Sequence, residues 1–497
     1  MSRSYTDRFT GAMLGLACGD ALGAPVEFLS KEDLENQFGR LTEMVSGGHY
    51  TRWRAGEWTD DTGMALCVAE GILEAPDDPV SEIGDRFLAW RKSAKDVGNT
   101  IAAALDAFRG LERELSGARD IGDWSRASAS TDQARSGKAA GNGSLMRTLP
   151  VALAYADRSR LRLQSAHISA MTHWDPQTEA ACLAYCFWVL EVLDGAEIVT
   201  AWHRALSATR DRAAEGAGPA NTPGLAPIPD PFWDRLETAH ARQYEELQPT
   251  GYAGYVLDCL EAAAWCAVNN ESAEAAIVDA VNLAGEADTI AAVTGGIVGA
   301  YYGIEALPPR WLEVLEQRER LATAGRRLAE LRHRLVYEKP GLPSFEIRKA
   351  APGILCGRNP LTAGDVHRLQ EAGVRYVLDL REDREWDTPN RYGREAIAAM
   401  QWSGIERTSM EIVDEEALSP EQLDRAWKLL STAADGPALY VHCRAGKERT
   451  GSVLGAFVAR QEGIGLDKAL GRLNDAGCKL APLSHQVTAV RRWLGET

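Results

Sequence analysis

Between Glu338 and Ser344 the run Glu-Lys-Pro-Gly-Leu-Pro-Ser cuts the chain into two stretches whose apolar residues recur with different periods. Proline cannot continue a helix and glycine disfavours one, so positions 338–345 read as a linker. Before it, apolar residues fall three or four apart in Met64–Leu73, Ile101–Leu111, Ala180–Leu193, Val256–Val268 and Ala275–Ala284, the spacing of one helix face. A charged helix is expected near Glu313–Arg334, and long β runs are missing from this half. Prolines at 219, 223, 227, 229 and 231 mark a surface excursion between Ala213 and Pro231. After the linker, the short runs Val374–Leu380 and Ala438–His442 alternate with the helical stretches Pro420–Ala433 and Gly451–Gln461. That alternation predicts an α/β domain with a central, mostly parallel sheet over 346–497, following an all-α domain over 1–337.

Size agrees with this division, because 497 residues exceed what one hydrophobic core serves. Lys and Arg number 54 against 71 Asp and Glu, a net charge of −17 that repels nucleic-acid phosphates, so nucleic acid is expected only as a modified substrate. The longest stretch without a charged side chain, Thr289–Ile304, falls short of the roughly 20 residues that cross a bilayer. Near the N-terminus Gly15, Gly19 and Asp20 interrupt the apolar stretch where a secretory leader would need continuity. No membrane association and a cytoplasmic location are therefore expected, and nine cysteines without a dense framework fit reduced thiols. The Gly-Lys pairs at 137–138 and 446–447 lack the upstream glycine and following Ser or Thr of a nucleotide-binding loop.

The sharpest local signal is Val441-His442-Cys443-Arg444-Ala445-Gly446-Lys447-Glu448-Arg449-Thr450-Gly451, leaving a strand and entering a helix. A loop curled between such elements turns successive backbone N–H groups inward as an anion cradle, which the helix dipole reinforces. The same field stabilises a thiolate at Cys443, while the Arg449 guanidinium can clamp two phosphate oxygens. Cys443 would then become a phosphocysteine, with His442, Arg444, Ala445, Gly446, Lys447, Glu448 and Thr450 forming the phosphate-binding loop. A leaving group needs an acid, and Met410–Glu416 supplies several; Asp414 is the expected donor, with Glu415 and Glu411 behind it. Asp379 and Arg381 are expected to be structural. The segment resembles the Cys-x5-Arg active site of the protein tyrosine and dual-specificity phosphatases, as do Gly353–Arg358 and Val377–Arg381 upstream, which implies phosphomonoester hydrolysis on a phosphorylated substrate.

In the first half, acids stand among small and apolar residues in Gly15–Phe28, Trp58–Thr62 and Ala284–Ile290. Carboxylates so placed cost several kcal/mol each unless they are paired, protonated or neutralised. If the three segments converge they need cations, and oxygen donors of this kind suit Mg²⁺ or Mn²⁺. The segments resemble the ADP-ribosylglycohydrolase family, helical enzymes that remove ADP-ribose from modified acceptors with a pair of magnesium ions. The resemblance implies metal ligation by Glu27, Thr59, Asp60, Asp61, Asp288 and Thr289, with Glu286 standing where the family usually has Asp. Two further blocks, Asp96-Val97-Gly98-Asn99-Thr100 and Gly141-Asn142-Gly143-Ser144, resemble its ribose and pyrophosphate loops. Asp96, Gly98, Thr100, Gly141, Asn142, Gly143, Ser144 and, from Thr172–Pro176, His173 are accordingly implied in substrate binding, with Glu27 as acid/base. The expected substrate is an ADP-ribosylated protein or small-molecule conjugate; the alternative is a domain that senses ADP-ribose without cleaving it and regulates an active phosphatase.

Overall fold

Gly11, Gly15, Gly19 and Gly23 stand four apart along the first helix, Tyr5–Gly23, and this spacing decides how the helical part of the molecule is built. A Cβ on Gly15 would lie 2.2 Å from the carbonyl oxygen of Gly295, and one on Gly19 2.0 Å from that of Ala291. Only a side-chain-free stripe allows such approach, so the helix Tyr5–Gly23 packs backbone to backbone against Ala287–Tyr302. Tyr5–Val26 is long and apolar enough to cross a membrane by composition, but its apolar window is entirely buried inside the protein, as for a core helix. The computed structural model describes residues 5–112, 120–134, 140–214, 219–224, 228–247, 254–337, 345–382, 396–397, 399–401, 403–433 and 438–496.

The chain divides into two compact units, Tyr5–Leu335 and Val336–Thr497. The first is helical throughout, and its predicted helices appear as Asp60–Glu74, Asn99–Glu112, Pro176–Leu193, Val256–Val268 and Ala273–Val281. Where the periodicity ran to Ala284, the helix stops at Val281: the Asn282 side chain bonds the Leu41 N–H and carbonyl at 2.9 Å each and caps the Val278 carbonyl at 2.7 Å, and Ala284 takes a left-handed φ of 66°. The charged helix expected over Glu313–Arg334 is two pieces, Pro309–Val314 and Arg318–Tyr337, broken where Gln317 adopts a left-handed φ of 52°. The excursion after Ala213 follows the helix Ile198–Ala214 and ends where Asp230–Thr238 begins; its positions 215–218 and 225–227 lie outside the described residues, as do 338–344 of the linker.

The second unit has a five-stranded sheet in the order β1 (Arg348–Ala351), β2 (Ile354–Arg358), β5 (Ala438–Cys443), β3 (Val374–Asp379), β4 (Glu406–Ser409). Only the β1–β2 pair is antiparallel. β5 is central, so its C-terminal end opens where strand order reverses, the usual place for a ligand in such sheets. Phe345 belongs to this unit rather than to a linker: it is buried, 5.9 Å from the Tyr440 ring and under the Arg358 guanidinium. The helix expected over Gly451–Gln461 begins earlier, at Glu448, directly after the loop that leaves Cys443.

Candidate active sites

Asp20, on the first helix, is fully buried and accepts hydrogen bonds from the backbone N–H groups of Thr59 and Thr62, each at 2.9 Å, and from the Thr62 hydroxyl at 2.6 Å. It thereby fixes the N-terminus of the helix Asp60–Glu74, where Thr59 is the cap and Asp60 and Asp61 fill the first turn. Asp60 in turn accepts from the Gly98 N–H at 3.0 Å, which ties the Asp96–Thr100 segment to it. Asp61 accepts from the hydroxyls of Thr59 at 3.3 Å and Thr289 at 3.5 Å, joining this turn to the start of Ala287–Tyr302. Glu286 reaches Asn142 at 3.3 Å, and Asn142 N–H bonds the Gly254 carbonyl at 2.7 Å, which brings in the glycine loop.

These links surround one cavity of about 490 Å³ lined by Glu27, Asp60, Asp61, Asp96, Gly98, Thr100, Gly141, Asn142, Gly143, His173, Glu286, Asp288 and Thr289. Two residues implied by the sequence lie elsewhere. Ser144 faces the interior, with its hydroxyl 3.3 Å from Cys182 Sγ and 3.0 Å from Ser169 Oγ, so it braces the loop instead of touching a ligand. Thr59 is turned to the helix cap and borders a neighbouring cavity of about 290 Å³. The residues that sequence reasoning missed include Asp20, Arg147, Phe28, Tyr50 and Trp53. Arg147 lies fully buried beneath the glycine loop, donating to the Gly143 and Ile168 carbonyls and to Thr172 Oγ1 at 2.7 Å. Thr172 Oγ1 also lies 2.8 Å from His173 Nδ1, which ties the ring to this network with Nε2 on the side of Gly141 and Gly143.

The acids hold one another out of their ordinary range. Burial, then repulsion from Asp288, Asp96, Asp60 and Glu286, pushes Glu27 up to about 12. Burial and Asp96 raise Asp60 to about 7, and burial and neighbouring carboxylates hold Asp61 and Asp288 well above the usual carboxylate range. No lysine or arginine among the described residues lines the cavity to relieve them. Asp61 Oδ1 is buried with no hydrogen-bond partner among the described residues. An oxygen-only donor set with an orphaned carboxylate oxygen fits a hard divalent cation. Among the described residues no three Asp, Glu, His or Cys side chains are already gathered as a cage, which agrees with their mutual repulsion, the term a cation would cancel.

At the other site, Cys443 ends β5 and is buried, and the loop that follows is clamped to β2. Gly446 has φ 70°, and a Cβ there would sit 2.1 Å from the Gly357 carbonyl oxygen. Gly446→Ala is therefore expected to cost about 2 kcal/mol or more and to abolish phosphate turnover, read by thermal melts and activity on para-nitrophenyl phosphate. The Asn359 N–H bonds the Arg444 carbonyl at 3.2 Å from the same strand end. Arg444, Ala445 and Lys447 are exposed at the rim, and Glu448 opens the helix with partial exposure. Arg449 is buried, donating to the Ile412 carbonyl at 3.0 Å and pairing with Asp414 at 2.9 Å, so the expected acid does reach the cysteine loop's arginine. Glu411 and Glu415 are exposed beside it. Thr450 is fully buried, its hydroxyl without a partner among the described residues.

His442 is not placed to touch a substrate. Its side chain is completely buried beneath the loop, Nδ1 lying 3.1 Å from the Cys443 carbonyl and 3.6 Å from Asp379. Asp379 also pairs with Arg381 and Arg407 at 3.0 Å, the structural role expected of Asp379 and Arg381. Burial works against the Asp379 carboxylate, but His442, Arg381 and Arg407 outweigh it and hold the group well below its usual range. Burial pulls His442 down to about 4, with Arg381 adding to and Asp379 opposing the shift. Between that value and the free histidine value of about 6.5 the unfolded chain binds a proton that the folded one refuses, so stability falls as pH drops through the window. The loss expected is roughly 3 kcal/mol, read as a falling midpoint for heat inactivation of the phosphatase from pH 6.5 to 4. A His442→Gln chain should lose that slope; an unchanged slope would assign it to another group.

Comparison with known proteins follows the same division. The ADP-ribosylglycohydrolase model matches residues 1–336, and that of the DSP-PTPase phosphatase domain of Swiss Army Knife proteins matches residues 348–475. The ADP-ribosylarginine hydrolase Tri1 of Serratia proteamaculans (strain 568) is 31% identical over 334 residues, covering 65% of this chain and 79% of the relative. The ADP-ribosylhydrolase ARH3 of Gallus gallus is 24% identical over 355 residues, covering 65% and 94%. The solved structure of an ADP-ribosylglycohydrolase-related protein complex, 32% identical, covers 66% of this chain and 99% of its own with a TM-score of 0.51. With the first match spanning 1–336 of 497 residues, the chain belongs to the ADP-ribosylglycohydrolase family of enzymes and carries after it a cysteine-dependent phosphatase domain of the dual-specificity type.

Proposed function

We propose that the protein is a bifunctional cytoplasmic hydrolase, cleaving the glycosidic bond between ADP-ribose and an acceptor in its first unit and a phosphomonoester in its second. The observation that carries the first activity is the convergence of Glu27, Asp60, Asp61, Asp96, Glu286 and Asp288 with a glycine loop and His173 on one cavity. Asp60, Asp61, Asp288 and Thr289, with Glu27 and Glu286 beside them, would hold magnesium, and Thr59 caps the turn that presents Asp60 and Asp61. When bound, magnesium or manganese supplies charge that neutralises these carboxylates and orients ribose hydroxyls and water. Glu27, on the same cavity, protonates the leaving acceptor as its bond to the anomeric carbon breaks and water takes its place. Gly141 and Gly143 let backbone come close to the pyrophosphate, with His173 Nε2 alongside them.

For the second activity, Cys443 attacks phosphorus, Arg449 grips the equatorial oxygens, and Asp414 protonates the leaving oxygen before water cleaves the phosphocysteine. Release of free ADP-ribose from a panel of ADP-ribosylated acceptors, with magnesium and with chelator, tests the first assignment: release with magnesium supports it, and none from any acceptor sinks it. A sensing reading has one observation in its favour, since Glu286 spends an oxygen on Asn142 that an aspartate would leave to a metal. Titration with ADP-ribose beside the turnover assay separates the two, and binding without turnover that Glu286→Asp restores would favour the sensor.

A further inference from the structure

Asp414 has one side-chain partner among the described residues, and it is Arg449. A phosphate dianion that takes the Arg449 guanidinium therefore removes the contact that holds the acid, and by its own charge it favours the protonated carboxyl. From then on Asp414 stays within reach of the leaving oxygen only if its backbone is held by something the substrate does not displace. The segment Met410–Glu416 enters against the end of β3, with the Met410 N–H on the Asp379 carbonyl at 2.8 Å and the Ile412 N–H on the Leu380 carbonyl at 3.2 Å. Beyond Asp414 it is caught from far along the chain. His485 Nε2 donates to the Glu415 carbonyl at 2.7 Å and Gln486 Nε2 to the Glu416 carbonyl at 2.9 Å, both from the first turn of the helix Ser484–Leu494. Glu415 has a φ of 61°, a left-handed backbone that a glutamate keeps only where its surroundings impose it.

We propose that His485 and Gln486 are positioning residues of the phosphatase, holding the backbone beyond Asp414 so that its carboxyl stays at the leaving oxygen once phosphate displaces it from Arg449. This rests on the reading of Asp414 as the acid. In the step itself the Cys443 sulfur bonds phosphorus, the P–O bond breaks with its electron pair on the leaving oxygen, and the Asp414 proton neutralises that oxygen. Only a leaving group too basic to depart as an anion needs the proton. Gln486 carries most of the effect. Its side chain is fully buried, with Oε1 accepting from the Leu483 N–H at 3.1 Å and lying 3.2 Å from the Ser452 hydroxyl. Ser452 stands three residues after Arg449 in the helix Glu448–Glu462, so one amide joins the acid segment to the helix that carries the phosphate clamp. A buried hydrogen bond meets no competition from water, whereas His485 is exposed and its bond does.

The test uses the full chain and a series of aryl phosphates, from phenyl phosphate, whose phenolate leaves poorly, to dinitrophenyl phosphate, whose leaving group needs no proton. In Gln486→Met kcat/KM on phenyl phosphate should fall by about 10-fold or more and in His485→Ala by about 3-fold, while on dinitrophenyl phosphate the loss should shrink to about 2-fold or less. His485→Gln, which keeps a donor, should restore the wild-type dependence on leaving group. Vanadate affinity should hold in all three, since Cys443 and Arg449 keep their places. In an Asp414→Asn chain the same substitutions should add nothing, because they act through the acid it has lost. An equal fall across the series, a loss of vanadate affinity, or a further fall in the Asp414→Asn chain overturns the proposal. If Gln486→Met does not fold, His485→Ala and His485→Gln decide it. Should Asp414→Asn itself leave the leaving-group dependence unchanged, Asp414 is not the acid and the proposal falls with that reading. A dependence moved by Asp414→Asn but by neither substitution on the helix overturns the positioning alone.

Discussion

Replacing Cys443 by serine is expected to lower turnover of para-nitrophenyl phosphate by about 10³-fold or more while leaving release of ADP-ribose untouched. The substitution changes one atom at the end of β5 and keeps the loop that presents it, because that loop is held by other groups. Gly446 lies against Gly357, Asn359 bonds the Arg444 carbonyl, and His442 supports the turn from beneath. Arg449 stays fixed through the Ile412 carbonyl, so the variant should still bind inorganic phosphate or vanadate. What it lacks is the thiol, because a hydroxyl ionises far less readily and is the weaker nucleophile. Turnover within tenfold of wild type would remove Cys443 as the nucleophile. Lost phosphate binding would instead point to a damaged loop. A fall in ADP-ribose release would contradict the assignment of the two activities to separate units.

The legible parts of this molecule are those in which one residue's role is set by its neighbours in the chain. The Cys443–Arg449 spacing, the strand before it and the helix after it are local facts, whereas a boundary missed by periodicity can be set at a distance, as where the Asn282 side chain joins the end of its helix to Leu41. The acid blocks were readable because carboxylates among apolar residues are costly wherever they occur. Their supports were not. Asp20 looks like any acid near a glycine, and only the approach of Thr59 and Thr62 makes it the group that orients the next helix. Arg147 was visible as an arginine after an apolar stretch, but the carbonyls it holds come from Gly143 and Ile168. His442 and Ser144 sit inside motifs yet turn away from the ligand side, because successive residues of a strand or tight loop face opposite ways.

Asp61→Asn should move stability and activity in opposite directions. Asp61 is buried, one of its oxygens has no partner among the described residues, and Asp288, Asp20 and Asp60 repel its charge. Its affinity for a proton is therefore higher folded than unfolded, so its contribution to stability is present at low pH and lost as pH rises above the ordinary aspartate range. In chelator the wild type should melt lower at pH 8 than at pH 5.5, and Asn, which carries no charge to bury, should raise the melting point most at the higher pH. Magnesium should raise the wild-type midpoint by binding only the folded chain, and that rise should shrink in the variant. ADP-ribose release should fall by about 10²-fold or more, since a ligand oxygen and its charge are both gone. A variant that is stabilised in chelator, insensitive to magnesium and inactive ties the cost of assembling these acids to the reaction they serve. One that keeps both the magnesium response and turnover would show that the cluster's charge is tolerated for some other reason, and the metal assignment would fall with it.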